Sequence, residues 1–243
     1  MLLVVAWWGS SSIGNTQSLP ELPVYTAMKT EAVIQIDGDL HEPAWQQAPV
    51  VSLINSNTAE SPELPTTVQC LWDDDFLYIG FFAEDRDVWA TMTEHDSEIW
   101  REEVFEVFID ADSDMRGYAE FQVNPLSIPV DLWILADVER EYFQNMYEWD
   151  CKGYQFAVSV QGTPLNRNDQ DDSWSAELAI PLKEMVTAPN IPPIPGDTWR
   201  INFYRMERKV KDDTPTILAW SPCFGGNHTP RRFGTMVFMS GTP

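Results

Sequence analysis

Positive charge is what this chain has least of. Fifteen Lys and Arg stand against 38 Asp and Glu, for a formal net charge of −23 over 243 residues. A surface so acidic repels phosphate backbones and anionic lipid, which argues against nucleic acid as a partner. Cysteine is scarce as well. Cys70, Cys151 and Cys223 show no CxxC or other zinc-ligand spacing, and we expect three buried thiols rather than a disulfide framework. Only His41, His95 and His228 are present, with no HExxH pattern and no His or Cys beside any of them. A GxSxG elbow and a Gly-rich phosphate loop are also missing. Nothing in these residues requires an enzyme. Carboxylate pairs of the glycosidase kind can be drawn, but so many Asp and Glu make any one choice arbitrary.

Long apolar runs are lacking too. Met1 to Trp8 is apolar but too short to span a bilayer, and no later segment is long enough, so no membrane span is expected. Followed by Gly9-Ser-Ser-Ser12, that run reads as the end of a secretory signal without its basic start. Residues 1–18 are therefore expected to be a truncated signal segment, and 19–243 one exported domain, whether extracellular, periplasmic or at the cell surface.

What the chain does have is aromatic residues and regular punctuation. It carries 11 Trp and 12 Phe, and Pro and Gly break it into short runs rich in Val, Ile, Phe, Tyr and Trp. That is the pattern of an all-β sandwich with little helix. Expected strands are Val68–Trp72, Phe76–Ala83, Val104–Ile109, Tyr118–Val123, Val130–Ala136, Tyr154–Val160, Trp174–Ile180, Trp199–Met206, Ile217–Trp220 and Thr235–Met239. Trp45, Trp72, Trp174, Trp199 and Trp220 are expected in the core. Glu139–Trp149 reads as a helix or as a loop over the sheet. Pro189 to Pro195 reads as a rigid surface loop.

Two neighbouring strands carry polar groups where apolar ones would be ordinary. In Trp100-Arg-Glu-Glu-Val-Phe-Glu-Val-Phe-Ile-Asp110, alternation puts Phe105, Val107 and Ile109 on one face. Glu106 falls between Val104 and Phe108 on the other. A carboxylate there is costly unless something pairs with it. In the next strand Tyr118, Glu120 and Gln122 share a face opposite Phe121 and Val123. Glu106 and Gln122 are thus expected as partners on one non-core face, with Trp100 just upstream. Between the strands, Asp110-Ala-Asp112-Ser-Asp114 has the alternating acidic spacing that can converge oxygens on calcium. It departs from an EF-hand, and a polar hairpin loop accounts for it equally.

The order of motifs along the chain is specific. It runs Ile36-Asp-Gly-Asp-Leu-His-Glu-Pro-Ala-Trp45, Leu71-Trp-Asp-Asp-Asp-Phe-Leu-Tyr-Ile79, Asp85, Glu103-Val-Phe-Glu-Val-Phe-Ile-Asp110 and Tyr118-Ala-Glu-Phe-Gln-Val-Asn124. Trp174-Ser-Ala-Glu-Leu-Ala-Ile-Pro181, Pro195-Gly-Asp-Thr-Trp-Arg-Ile-Asn-Phe-Tyr-Arg205, Trp220-Ser-Pro222 and Phe233-Gly-Thr-Met-Val-Phe238 follow. This order resembles the family 9 carbohydrate-binding modules and their DOMON-like relatives over roughly residues 31–239.

The resemblance implies a single DOMON-type antiparallel β-sandwich, non-catalytic and secreted, supported by calcium. It implies a poly- or oligosaccharide partner such as xylan or cellulose, and secreted glycoside hydrolases as companions. Two Trp sandwich a sugar in that family. Trp100 matches the first, and Glu106 matches an acidic sugar contact. Gln122 stands where the family has Arg. Gly225-Gly-Asn-His-Thr229 stands near the second Trp, offering Asn227 for a hydroxyl and His228 for stacking, with Tyr118 and His228 near the rim. A haem-binding redox domain would need paired axial ligands. Met185, Met206 and His228 are present, but nothing pairs them, so haem is not expected. The remaining alternative is a cell-surface interaction domain that has lost sugar binding.

Overall fold

The computed structural model describes residues 19–140, 142–208 and 215–241, so the expected signal segment lies outside the described residues. Chain order among the described residues is all strand, interrupted by single 3-10 turns. The first half holds β1 (Val24–Lys29), β2 (Val51–Ser52), β3 (Ile54–Asn55), β4 (Thr66–Trp72), β5 (Phe76–Glu84), β6 (Val104–Asp110) and β7 (Gly117–Val123). The second half holds β8 (Pro129–Asp137), β9 (Tyr142–Met146), β10 (Gln155–Gln161), β11 (Ser173–Pro181), β12 (Thr198–Glu207), β13 (Thr216–Ala219) and β14 (Gly234–Met239). Their hydrogen-bonded path is β10-β11-β5-β4-β1-β14-β12-β6-β7-β8-β9, a sheet curled into two facing layers.

One expectation needs correction here. The sandwich is mixed rather than antiparallel, because β1 runs parallel to both β4 and β14. Parallel pairing needs a long connection instead of a hairpin. β1 has that on both sides, and it thereby joins the two layers. Elsewhere hairpins prevail. Between β4 and β5 the Asp73 side chain accepts the backbone N–H of Asp75 and of Phe76, both at 2.7 Å, which closes the turn.

The layers meet through aromatic rings. Phe105 on β6 stacks on Phe81 of β5 with centroids 4.7 Å apart and on Trp174 of β11 at 3.6 Å. The five Trp expected in the core are all buried. So are the three cysteines, none of them disulfide-bonded. Burying a large side chain of this kind contributes about 1.5–3 kcal/mol.

Two polar clamps explain why the motifs occur together. Glu177 on β11 accepts Trp45 Nε1 at 2.9 Å and the backbone N–H of Asp37 and Gly38 at 2.9 and 3.0 Å. It thus fastens the opening loop to the sheet. Gly38 is required there: its φ is +92°, and a Cβ would meet the Val158 carbonyl carbon at 2.6 Å. The second clamp is Arg205, which has no exposed surface. From β12 its Nη2 reaches Asp85 at 2.7 Å and Glu103 at 3.7 Å, and its Nη1 donates to Thr66 Oγ1 at 3.0 Å. Thr66 and Asp85 belong to one layer, and Arg205 to the other.

Among its described residues Glu139–Trp149 contains neither a helix nor a plain loop. Tyr142–Met146 is β9, an outer strand paired with β8. Its period-two pattern places Phe143 and Asn145 on one side, followed by Tyr147.

Removing one partner of a buried ion pair leaves a charge without compensation and costs about 3–5 kcal/mol. Arg205→Ala is therefore expected to lose stability of that order in urea unfolding. A loss below about 1 kcal/mol, the ordinary worth of an exposed pair, would show that Arg205 is not a structural clamp.

Candidate functional site

Every residue of β6 is buried, so both of its faces are covered. Phe105, Val107 and Ile109 enter the core between the layers. Val104 and Phe108 enter a second apolar cluster with Tyr118, Leu132, Ile134 and Tyr204. The expected non-core face is thus a second core, made by the chain that crosses over β6 and β7. Within it lies a cavity of about 320 Å³, lined by Trp100, Glu106, Gln122, Asn227 and His228 among others.

The sequence-derived candidates therefore converge, with one exception. Glu106 and Gln122 are directly opposed across β6 and β7. Trp100 sits in a 3-10 turn, Ile99–Arg101, immediately before β6. Asn227 and His228 come from the loop after β13. Tyr118 is not at the rim. It is fully buried behind the wall, and its hydroxyl meets His228 Nδ1 at 2.8 Å. A hydroxyl donating to Nδ1 leaves Nε2 as the N–H donor of the ring. Burial pushes the His228 imidazole down to about 4, so it is neutral at physiological pH. Its ring stacks on Phe108, centroids 5.1 Å apart, and tilts against Phe143 at 5.7 Å. His228 also borders a second cavity of about 310 Å³, lined by Phe143, Thr229 and Arg231. Met206 lines the first cavity too, whereas Met185 lies in the core between the layers.

Three polar lining residues are not among the sequence-derived candidates: Glu120, Asn145 and Tyr147. Alternation already puts Glu120 on the face of Gln122. The same period-two signal in β9 could have found the other two.

The floor is strongly acidic. Exposure is 2% for Glu106, 4% for Glu120 and 2% for Gln122. Burial raises the Glu106 carboxyl, the neighbouring Glu120 raises it further, and a hydrogen bond from the Asn227 side chain opposes the shift. Burial pushes Glu120 up to about 7, opposed by a hydrogen bond from Gln122. Gln122 Nε2 donates to Glu120 Oε1. Three buried acceptors at this site have no protein donor: Glu120 Oε2, Gln122 Oε1 and Asn227 Oδ1. Among the described residues no Lys or Arg lines the cavity.

The acidic loop closes the far end of β6. Carboxylate oxygens of Asp110, Asp112 and Asp114 lie within 4.8 Å of one another. Asp110 Oδ2 accepts the Met115 N–H at 3.0 Å, while its buried Oδ1 has no donor. Burial, followed by the Asp112 side chain, pushes Asp110 up to about 7. An all-oxygen set with one orphaned buried oxygen fits a hard cation such as calcium.

The two-layer sheet thus carries an aromatic-edged cavity of buried acceptors. The sequence pattern described as "Carbohydrate family 9 binding domain-like" matches residues 36–240, and the chain belongs to this family. Among solved structures, a putative carbohydrate-binding protein from Bacteroides uniformis aligns with a TM-score of 0.71 at 18% identity, covering 90% of this chain and all of that one. A family 9 carbohydrate-binding module from Caldicellulosiruptor kristjanssonii, in complex with cellotriose, aligns at 0.62 with 17% identity, covering 90% and 95%. A family 9 carbohydrate-binding module from the same organism, in complex with glucose, aligns at 0.60 with 16% identity, covering 90% and 97%. At these identities the likeness is one of fold. No curated protein matches the chain.

The raised carboxyls give the stability a direction with pH. Folding holds Glu120 at about 7 against an ordinary 4.5, so it favours the protonated form. The contribution is complete below the ordinary value and fades as pH rises through the folded one. The melting temperature is expected to fall from acid to neutral pH. Glu120→Gln should flatten that slope and gain about 2 kcal/mol over the parent above the window, at one pKa unit per 1.36 kcal/mol with allowance for relaxation. Identical pH slopes in parent and variant would contradict it.

Proposed function

We propose that this chain is an exported, non-catalytic carbohydrate-binding protein whose cavity receives one end of a glycan. The observation that carries the reading is the set of buried acceptors without protein donors beside an aromatic edge. Sugar hydroxyls are donors, and a carboxylate accepts two of them in charge-assisted bonds. Glu106, Glu120 and Gln122 would bind hydroxyls on the floor, with Asn227 at the side. Trp100, only partly buried, would stack on the ring. Tyr118 would act by holding His228. Membership of a carbohydrate-binding family supports this reading, and so does a fold shared with modules solved with cellotriose and glucose. Cello- and xylo-oligosaccharides are the first ligands to try, with secreted glycoside hydrolases as natural companions. Among the described residues no helix is long and apolar enough to cross a membrane.

Asp110, Asp112 and Asp114 would hold calcium. The ion would supply charge neutralisation in the β6–β7 loop and so keep the end of β6 in register.

One observation favours a second reading: Glu106 and Glu120 form a buried carboxylate pair with raised pKa values, as a glycosidase needs. Their placement weighs against it. They lie diagonally on one sheet face, whereas glycoside hydrolysis needs carboxylates on either side of the scissile bond. Hydrolysis of an aryl glycoside, abolished in Glu106→Gln, would establish it.

Titration with cello- and xylo-oligosaccharides is expected to change Trp fluorescence. Trp100→Ala should weaken binding about tenfold, the worth of one good aromatic contact, at unchanged melting temperature. No response to any glycan would overturn the reading. Calcium is expected to raise the melting temperature and chelation to lower it, with neither effect in Asp110→Asn. A melting temperature indifferent to both would remove the calcium assignment.

A further inference from the structure

Neutral sugars would satisfy the hydrogen bonds of the cavity but not its charge. Glu106 and Glu120 sit on the same floor, almost without exposed surface. No Lys or Arg among the described residues lines the space they face, and His228, which does, is held neutral by burial. One of the two amide hydrogens of Gln122 is committed to Glu120 Oε1, while Glu120 Oε2 and Gln122 Oε1 have no donor. A neutral ring seated there would strip the remaining water from both carboxyls and return no positive charge, so it would hold them in the protonated forms that burial already favours. Desolvation of that kind is repaid only by an opposite charge with good hydrogen bonds.

Resting on the carbohydrate-binding reading, we propose that the cavity selects a sugar bearing a free, protonated amine, of the hexosamine class, over neutral hexoses. An ammonium brings three N–H donors. Glu120 Oε2, Gln122 Oε1 and the Glu106 carboxylate are three acceptors on one floor. Trp100, Phe108 and Tyr147 line the same space, and aromatic faces attract a desolvated cation. The chain's net charge of −23 draws cationic ligands toward it over longer distance. Acylating the amine removes its charge, so an N-acetylated sugar loses the advantage while keeping nearly the same shape. The raised carboxyls add a thermodynamic signature. A cation favours their ionised forms, so its binding expels protons from the floor.

The test is calorimetric titration of the whole chain with glucosamine, glucose and N-acetylglucosamine near pH 6.5, where an ordinary amine is charged. Glucosamine is expected to bind at least tenfold tighter than either of the others. Its heat is expected to vary with the ionisation heat of the buffer, reporting proton release. In Glu120→Gln the ratio of glucosamine to glucose affinity should fall toward one. The comparison within the parent chain decides the matter even if that variant fails to fold. Glucose binding as tightly as glucosamine overturns the amine selectivity and leaves the carbohydrate reading standing. Absence of binding to these three and to cello- and xylo-oligosaccharides overturns both.

Discussion

A guanidinium without solvent holds this structure together across its two layers. Arg205 is carried by β12, and its partners Asp85 and Thr66 belong to the facing layer, while Glu103 precedes β6. Charges in such a place have little tolerance for displacement, because each lost contact leaves a desolvated ion. The end of the sandwich is thereby fixed in separation and in lateral position. Glu103 lies between Trp100 and Glu106 in sequence, so the clamp also sets where the aromatic edge meets the acidic floor.

The cavity follows from covering both faces of the same strands. A sheet with one wet face would leave Glu106, Glu120 and Gln122 in water, where their charges would cost little. Here β9 and the loop carrying Asn227 and His228 overlie that face, and an apolar cluster fills most of the space. The polar groups then occupy the part left unfilled. Their unpartnered oxygens and raised pKa values have one origin: water has been removed and no protein donor has replaced it.

Much of the fold could be read because apolar alternation is strong wherever a strand buries one face against the other layer. β5, β6, β7, β11 and β12 announce themselves this way. β1 does not, since parallel pairing with β4 and β14 leaves no hairpin or turn signal beside it. β9 was ambiguous because a run dense in aromatics suits a helix or a covering loop until its partner is known. In the site, Trp100, Glu106 and Gln122 could be found from parity and from family likeness. Glu120 shared their face, yet only the pairing of Phe108 with Glu120 shows which carboxylate sits beside Glu106. Family likeness sets Tyr118 at the rim, and alternation alone does not correct it. Parity gives the face of a strand but not the distance along it, and Tyr118 lies under His228.

Glu103 and Glu106 are three residues apart and serve opposite sides of the sheet, the first toward Arg205 and the second toward the cavity. An odd spacing is what makes this division possible, because side chains in a strand reverse with each step. The short segment between them therefore acts as an inverter. Losing or gaining one residue there would send the Phe105 ring into the cavity and the Glu106 carboxylate among the aromatic rings between the layers. The lengths of the flanking loops leave this division untouched; the count from the clamp to the floor is what sets it.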